Sequence, residues 1–339
     1  MNPDGVDRTD RVPHGSSDDP DVLDFSANIN PRTPPGTRAV YEGALDAARS
    51  YPPRGYPEFR AAAADYADCD PERVVPTGGG LQAIRLTIAT HVEPGDSVLV
   101  PAPSFGEYAR EVRLQGGDPV LVAPEELVDA DPTGHTLAVA CVPNNPTGYA
   151  PDPAALRAFA RRCRDADTLL LADEAFLGFT DRESLAGRAG VVAARSLTKL
   201  FGLPGLRAGF AVATGRALDR LRTAVPAWAI GTPAAAVGAH AMRDDGFVRE
   251  TRDRVAAERD RMHERLTTRF DVRESAAPFL CCRLRDDDPD GSVDALVARL
   301  AAADIAVRDA TTFRGLDRHV RVAVRLPAAN DRLLEALDV

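Results

Sequence analysis

Residues 196–210 read Ser-Leu-Thr-Lys-Leu-Phe-Gly-Leu-Pro-Gly-Leu-Arg-Ala-Gly-Phe. An apolar, strand-like run at 191–194 leads into this stretch. The hydroxyls of Ser196 and Thr198 stand three and one residues before Lys199, and a Gly/Pro-rich loop carries the chain on to Arg207. Lys199 is the only lysine in a chain with 41 basic residues; all the others are arginine. Arginine can replace lysine wherever a solvated positive charge is enough, but not where an amine must lose its proton and attack a carbonyl. A sole lysine is therefore a candidate imine-forming nucleophile. The neighbouring hydroxyls and guanidinium are groups able to hold a phosphate.

The surrounding chain alternates short apolar strands with amphipathic helices. Strands are expected near 74–75, 97–100, 119–122, 137–141, 168–172, 191–194 and 209–213, and helices near 57–66, 81–91, 105–114 and 153–163. Asp152 followed by Pro153 is an N-cap and helix-start signal. This pattern is that of an α/β layer with a buried, mostly parallel sheet. Asp173 ends the strand TLLLA, and TGGGLQAI at 77–84 opens a helix straight after a strand. Such a glycine run fits either a phosphate-binding helix N-terminus or a tight turn. A long polar helix over 246–270 is expected to link this layer to a smaller α+β unit, with strands at 279–283, 305–308 and 320–324 and helices at 293–302 and 330–337. The division expected is a 1–50 segment joining the small domain, a large domain over 51–245 and a small domain over 246–339.

Length and composition narrow the function classes. The chain has 339 residues, 44% of them hydrophobic, with 51 Asp+Glu and a net charge of −10. No apolar run reaches the roughly 20 residues of a membrane span. The start MNPDGVDRTD lacks the features of a secretion signal, which points to a cytoplasmic protein. Five cysteines without CxxC spacing argue against a disulfide framework or a metal site. An acidic balance argues against nucleic-acid binding. Arginine in place of lysine, with excess acid, looks like a salt-adapted composition.

Taken together, TGGGLQAI, APSFGEY (102–108), VPNNPTG (142–148), ADEAF (172–176), the Lys199 stretch and HVRVAVR (319–325) resemble the fold-type I pyridoxal-phosphate enzymes of the aspartate aminotransferase superfamily. The resemblance spans residues 22–337. It implies a large domain with a central, mostly parallel sheet flanked by helices, plus a small α+β domain, and pyridoxal 5'-phosphate as cofactor. By resemblance, Lys199 would hold the cofactor covalently and move protons. Asp173 would keep the ring nitrogen protonated, Asn145 would bond the phenolic oxygen, and Tyr108 would stack on the ring. Gly79, Gly80, Ser196 and Arg207 would hold the phosphate. Tyr51, in SYPP, matches a tyrosine that reaches the neighbouring subunit's cofactor phosphate, so a homodimer is implied.

One residue departs from the pattern. Phe176 stands where many members carry a tyrosine, so a hydroxyl donor to the phenolic oxygen is lost, and the imine proton should be held more strongly. Arg321 matches the arginine that binds the substrate α-carboxylate, and Arg308 matches one that binds a substrate phosphate. Two branches of the superfamily act on phosphorylated amines: histidinol-phosphate aminotransferases and the threonine-phosphate decarboxylases of cobalamin synthesis. His14, the segment DFSANINP (24–31) with Asn28, Phe176 and the C-terminal sequence are similar to the decarboxylases. The expected reaction is decarboxylation of L-threonine O-3-phosphate to (R)-1-aminopropan-2-yl phosphate; the alternative is a histidinol-phosphate aminotransferase or a related class I/II aminotransferase. Arg325 remains open between a site role and a surface role.

Overall fold

The structure is a computed structural model that describes residues 1–339. Its centre is a seven-stranded sheet in the order Val74–Thr77, Gly209–Val212, Val191–Ser196, Leu169–Asp173, Leu137–Cys141, Ser97–Pro101, Asp118–Val122. Only Gly209–Val212 runs against its neighbours, so the other six strands all point the same way. Continuous apolar runs such as LAVAC at 137–141 are buried throughout because helices cover both faces. The chain therefore has the α/β fold-type I architecture with a mostly parallel central sheet. The Asp152 carboxylate accepts from Ala154 N and Ala155 N and starts the helix Pro153–Asp165.

A second, antiparallel sheet of four strands follows, in the order Arg308–Asp309, His319–Ala323, Phe279–Leu284, Phe270–Val272. The long polar helix ends at Leu266, and Phe270 already belongs to a strand. The run expected as one strand at 305–308 divides in two. Ile305–Ala306 pairs with Leu23–Asp24, and Arg308–Asp309 pairs with His319–Ala323. Two further helices, Gly215–Ala224 and Thr232–Met242, lie in a stretch read as having no element.

The first fifty residues divide. Leu23–Asp24 joins the C-terminal part of the chain, whereas Asn2 N donates to Leu114 O. The helix Thr37–Gly43 packs on Thr232–Met242. No helix is long and apolar enough to cross a membrane.

Candidate active site

Parallel strands bring their carboxyl ends to one edge, where the loops that follow them enclose a crevice. Asp173 ends one strand, Ser196 ends the next, Asn145 follows a third, and Gly79 and Gly80 follow Val74–Thr77. A cavity of about 930 Å³ opens there, within the usual range for a ligand site. Its lining includes Gly80, Asn145, Asp173, Ser196, Lys199 and Arg207 from the large sheet's edge. His14, Asn28, Arg308 and Arg321 face the same space from other parts of the chain.

Asp173 is buried. Its Oδ1 accepts from Ala175 N at 3.0 Å and its Oδ2 from the Tyr108 hydroxyl at 2.5 Å. Burial raises the carboxyl, and the Tyr108 bond opposes that rise. Tyr108 is 0% exposed, and burial holds its hydroxyl protonated well above the ordinary tyrosine range. Tyr108 lines the cavity from the helix Glu107–Leu114, with its hydroxyl committed to Asp173. The aromatic ring of the preceding loop is Phe105, half-buried on the cavity wall and edge-on to Tyr108 at 5.5 Å. Both aromatics of SFGEY thus line the crevice, three residues apart in the sequence.

Lys199 lines the cavity with its amine 5.7 Å from the centre of the Phe176 ring. Burial pushes the amine down to about 8, Arg321 adds to the effect, and Asp173 opposes it. An amine in that range is available as a nucleophile near neutral pH. Phe176 itself is buried edge-on to Phe279 at 5.1 Å, so the wall beside the amine is apolar. Behind the lysine, Asn30 fixes the loop: its N–H donates to Lys199 O at 3.0 Å and its Nδ2 to Leu200 O at 2.8 Å. Sequence reading passed over Asn30, although it lies in the same DFSANINP segment as Asn28.

The phosphate-binding expectations meet at one place. Gly79 has φ +98, and a Cβ there would lie 2.8 Å from Arg207 Nη2. Only glycine leaves room for the guanidinium beside the helix that starts at Gly80. Arg207 is exposed and adopts φ 51, an unusual conformation for a non-glycine residue, held as the loop turns back into Gly209–Val212.

Arg321 is 5% exposed and has no carboxylate partner. Its Nη1 donates to Asn145 Oδ1 and its Nη2 to Ser26 O, each at 2.5 Å, while Nε has no partner. Burial, followed by the nearby Arg308, pushes this guanidinium down to about 9. A buried cation without an anion is costly unless a ligand supplies one. With its oxygen on Arg321, Asn145 keeps its Nδ2–H groups as donors. Asn28 Oδ1 is likewise buried without a partner. Arg308 Nη2 donates to Pro13 O and Thr312 Oγ1, and it too lacks an acidic partner.

Tyr51, an expected residue, and Arg325, left open above, do not line the cavity. Tyr51 is 75% exposed and stacks on Trp228 at 4.1 Å. Arg325 lies outside the lining and donates to Asp24 O at 2.7 Å, which fastens the DFSANINP segment in place.

The residues present fit a phosphorylated pyridine aldehyde. The set comprises an amine of lowered basicity, a buried carboxylate, free amide donors, a glycine cradle beside an arginine, and an unpaired buried cation for a second anion. A family model described as Aminotransferase class I and II matches residues 20–337. Histidinol-phosphate aminotransferase 1 of Archaeoglobus fulgidus is 32% identical, covering 93% of this chain and 98% of that protein. Threonine-phosphate decarboxylase of Salmonella typhimurium is also 32% identical, over 93% of this chain and 90% of that one. Histidinol-phosphate aminotransferase from Sinorhizobium meliloti, solved in complex with pyridoxal-5'-phosphate, superposes with a TM-score of 0.82 at 21% identity, covering 93% of this chain and 90% of that chain.

Proposed function

Because this chain belongs to the aminotransferase class I and II family, and is thus a pyridoxal-phosphate enzyme, we propose that it decarboxylates L-threonine O-3-phosphate, a step of cobalamin synthesis. The observation that carries the proposal is a pair of cavity-facing arginines without acidic partners, Arg321 deep and Arg308 at the mouth. Threonine phosphate carries two anions, a carboxylate beside its amine and a phosphate further out, in the matching order. Phe176, His14 and the DFSANINP segment favour this reading over an aminotransferase. Identity to the two kinds of relative is equal, and a histidinol-phosphate aminotransferase would use Arg308 for the same phosphate.

When bound, pyridoxal phosphate supplies an electron-withdrawing ring that accepts the electron pair of a bond broken at the substrate α-carbon. The chain's own residues do the rest. Lys199 holds the cofactor; Asp173, aligned by Tyr108 and Ala175 N, keeps a proton on the ring nitrogen; Asn145 Nδ2 donates to the phenolic oxygen. Gly79, Gly80, Ser196 and Arg207 take the cofactor phosphate. Tyr108 and Phe105, both on the cavity wall, would flank the ring.

Arg308 and His14 grip the substrate phosphate, so that rotation about the α-carbon is the remaining freedom. Arg321 and Asn28 would then hold the carboxylate and so fix the orientation that selects its bond for cleavage. The carboxylate would leave as carbon dioxide, the Lys199 ammonium would donate a proton to the α-carbon in its place, and solvent would afterwards replace the proton on Lys199. The apolar Phe176 wall keeps water from the proton during its transfer.

Arg308→Ala is expected to raise KM for threonine phosphate by roughly ten- to a hundredfold, the size of a lost charge-assisted bond. It should change kcat far less and narrow the preference over free threonine. Steady-state kinetics on both compounds, with histidinol phosphate in parallel, makes the test. An unchanged KM for every phosphorylated compound would remove Arg308 from the site.

Tyr51 is too exposed to serve its own cavity. With Trp228, 49% exposed and stacked on it, it forms an exposed aromatic pair of the kind that marks an interface. A second copy of the chain is the occupant proposed, with its Tyr51 completing the phosphate site. A single-chain mass for the holoenzyme in solution would refute the dimer.

A further inference from the structure

Residues 8–16 line the mouth of the cavity as a strap that, with the helix Pro3–Asp7 before it, is fastened to the helix Glu107–Leu114. Asn2 N donates to Leu114 O at 2.8 Å, and Arg110 Nε donates to Asp10 O at 3.1 Å. Beyond these ties, a Cβ on Gly106 would come within 2.8 Å of Val12 Cγ1, so any larger residue there would lift the strap. The next tie is His14, whose Nε2 donates to Glu107 Oε1 at 3.1 Å. The His14 side chain is 53% exposed, whereas that of Glu107 is 7%. On the other side of the strap, Arg308 Nη2 donates to Pro13 O at 2.9 Å, one residue before His14.

A carboxylate beside a pocket for anions repels its ligand unless it is neutralised. Glu107 Oε2 accepts from Arg110 Nη1 at 3.2 Å, but that nitrogen is shared with Glu111 at 3.3 Å. The imidazole is therefore a needed second partner. Both carboxylate oxygens are engaged, which leaves Glu107 to hold its neighbours rather than to meet a ligand. With Nε2 on Glu107, His14 has only Nδ1 left for another contact. Its ring is further steadied by Phe105, 5.8 Å away.

We infer that Glu107 is a positioning residue for phosphate recognition: through His14 it seats the strap beside Arg308, and the preference for a phosphorylated over an unphosphorylated substrate depends on that seating. The inference rests on the phosphorylated-substrate reading above and extends it to a residue outside the ligand's reach.

The test uses the holoenzyme with His14→Ala, Glu107→Gln, the double variant and Gly106→Ala. Two quantities are measured: the affinity for inorganic phosphate by calorimetry, and KM and kcat for threonine phosphate and free threonine. Each single variant is expected to weaken phosphate binding and raise KM for the phosphorylated compound by about tenfold, the size of one lost polar contact. For Glu107→Gln and Gly106→Ala, the KM for threonine, kcat and the visible absorbance of bound cofactor should be kept. The double variant should be no weaker than either single one, because Glu107 acts through His14.

Additive losses in the double variant, equal losses for both compounds, or unchanged phosphate affinity would overturn the inference. Should Glu107→Gln fail to fold, His14→Ala on the exposed strap and Gly106→Ala carry the comparison with the same expected losses. If the variants weaken inorganic phosphate as expected but wild type does not decarboxylate threonine phosphate, the reaction assignment fails and the role of Glu107 stands.

Discussion

Lys199→Arg should abolish covalent uptake of pyridoxal phosphate and with it all turnover, while the fold is retained. The substitution keeps a cation of similar reach, so electrostatics beside Asp173 and Arg321 change little. What it removes is a nitrogen able to lose its proton, since a guanidinium stays charged at every accessible pH. There is no other lysine to substitute. In wild type the amine stands at about 8 rather than the usual 10.5. Because only the free amine attacks, the rate of cofactor uptake by the apoprotein should climb with pH and level off above about 8. Borohydride fixation followed by peptide mass mapping reads both effects. A cofactor label found in the arginine variant would remove Lys199 as the attachment point.

Asp173→Asn should lower turnover by roughly three decades, the scale of a lost preorganised electrostatic contact at a reacting group. An asparagine keeps the side chain's shape and can still accept from Ala175 N or Tyr108. Folding and cofactor binding should therefore survive. The missing element is the negative charge that favours a protonated ring nitrogen, without which the ring withdraws electrons poorly. Tyr108 sharpens this expectation: its hydroxyl stays protonated and donates to Asp173 Oδ2, so it favours the ionised carboxylate against the rise that burial imposes. Turnover within a fewfold of wild type, with cofactor content unchanged, would contradict the role given to Asp173.

Lys199 and Asp173 were readable because their chemistry leaves a mark in one dimension: a sole amine in an arginine-rich chain, and an acid ending an apolar strand. The sheet was readable for a similar reason, since buried parallel strands are continuous apolar runs bounded by turns. Other features depend on distances the chain alone does not carry. Phe105 and Tyr108 both line the cavity, but Phe105 lies in the loop before the helix begins at Glu107, so its place on the wall had no periodic signal.

The roles of Glu107 and Arg325 exist only through partners 93 and 301 residues away. The helix Thr232–Met242 is rich in alanine and weakly patterned, which hides a period. The helix Gly215–Ala224 is different: its apolar residues do recur at helical spacing, and the signal was there to be read. The N-terminal strap also carried a local sign, with Asn2 capping a helix that starts at Pro3. That sign says nothing of where the helix docks.

The central claim is that this site breaks the bond to the carboxylate rather than the bond to the α-proton. The most direct measurement is release of labelled carbon dioxide from carboxyl-labelled L-threonine O-3-phosphate, incubated with the holoenzyme and no keto acid. The prediction is label released over many turnovers, in step with formation of (R)-1-aminopropan-2-yl phosphate. Label retained on the substrate, with turnover of a phosphorylated amine appearing only when 2-oxoglutarate is added and glutamate formed in equal amount, would contradict it and make the enzyme an aminotransferase.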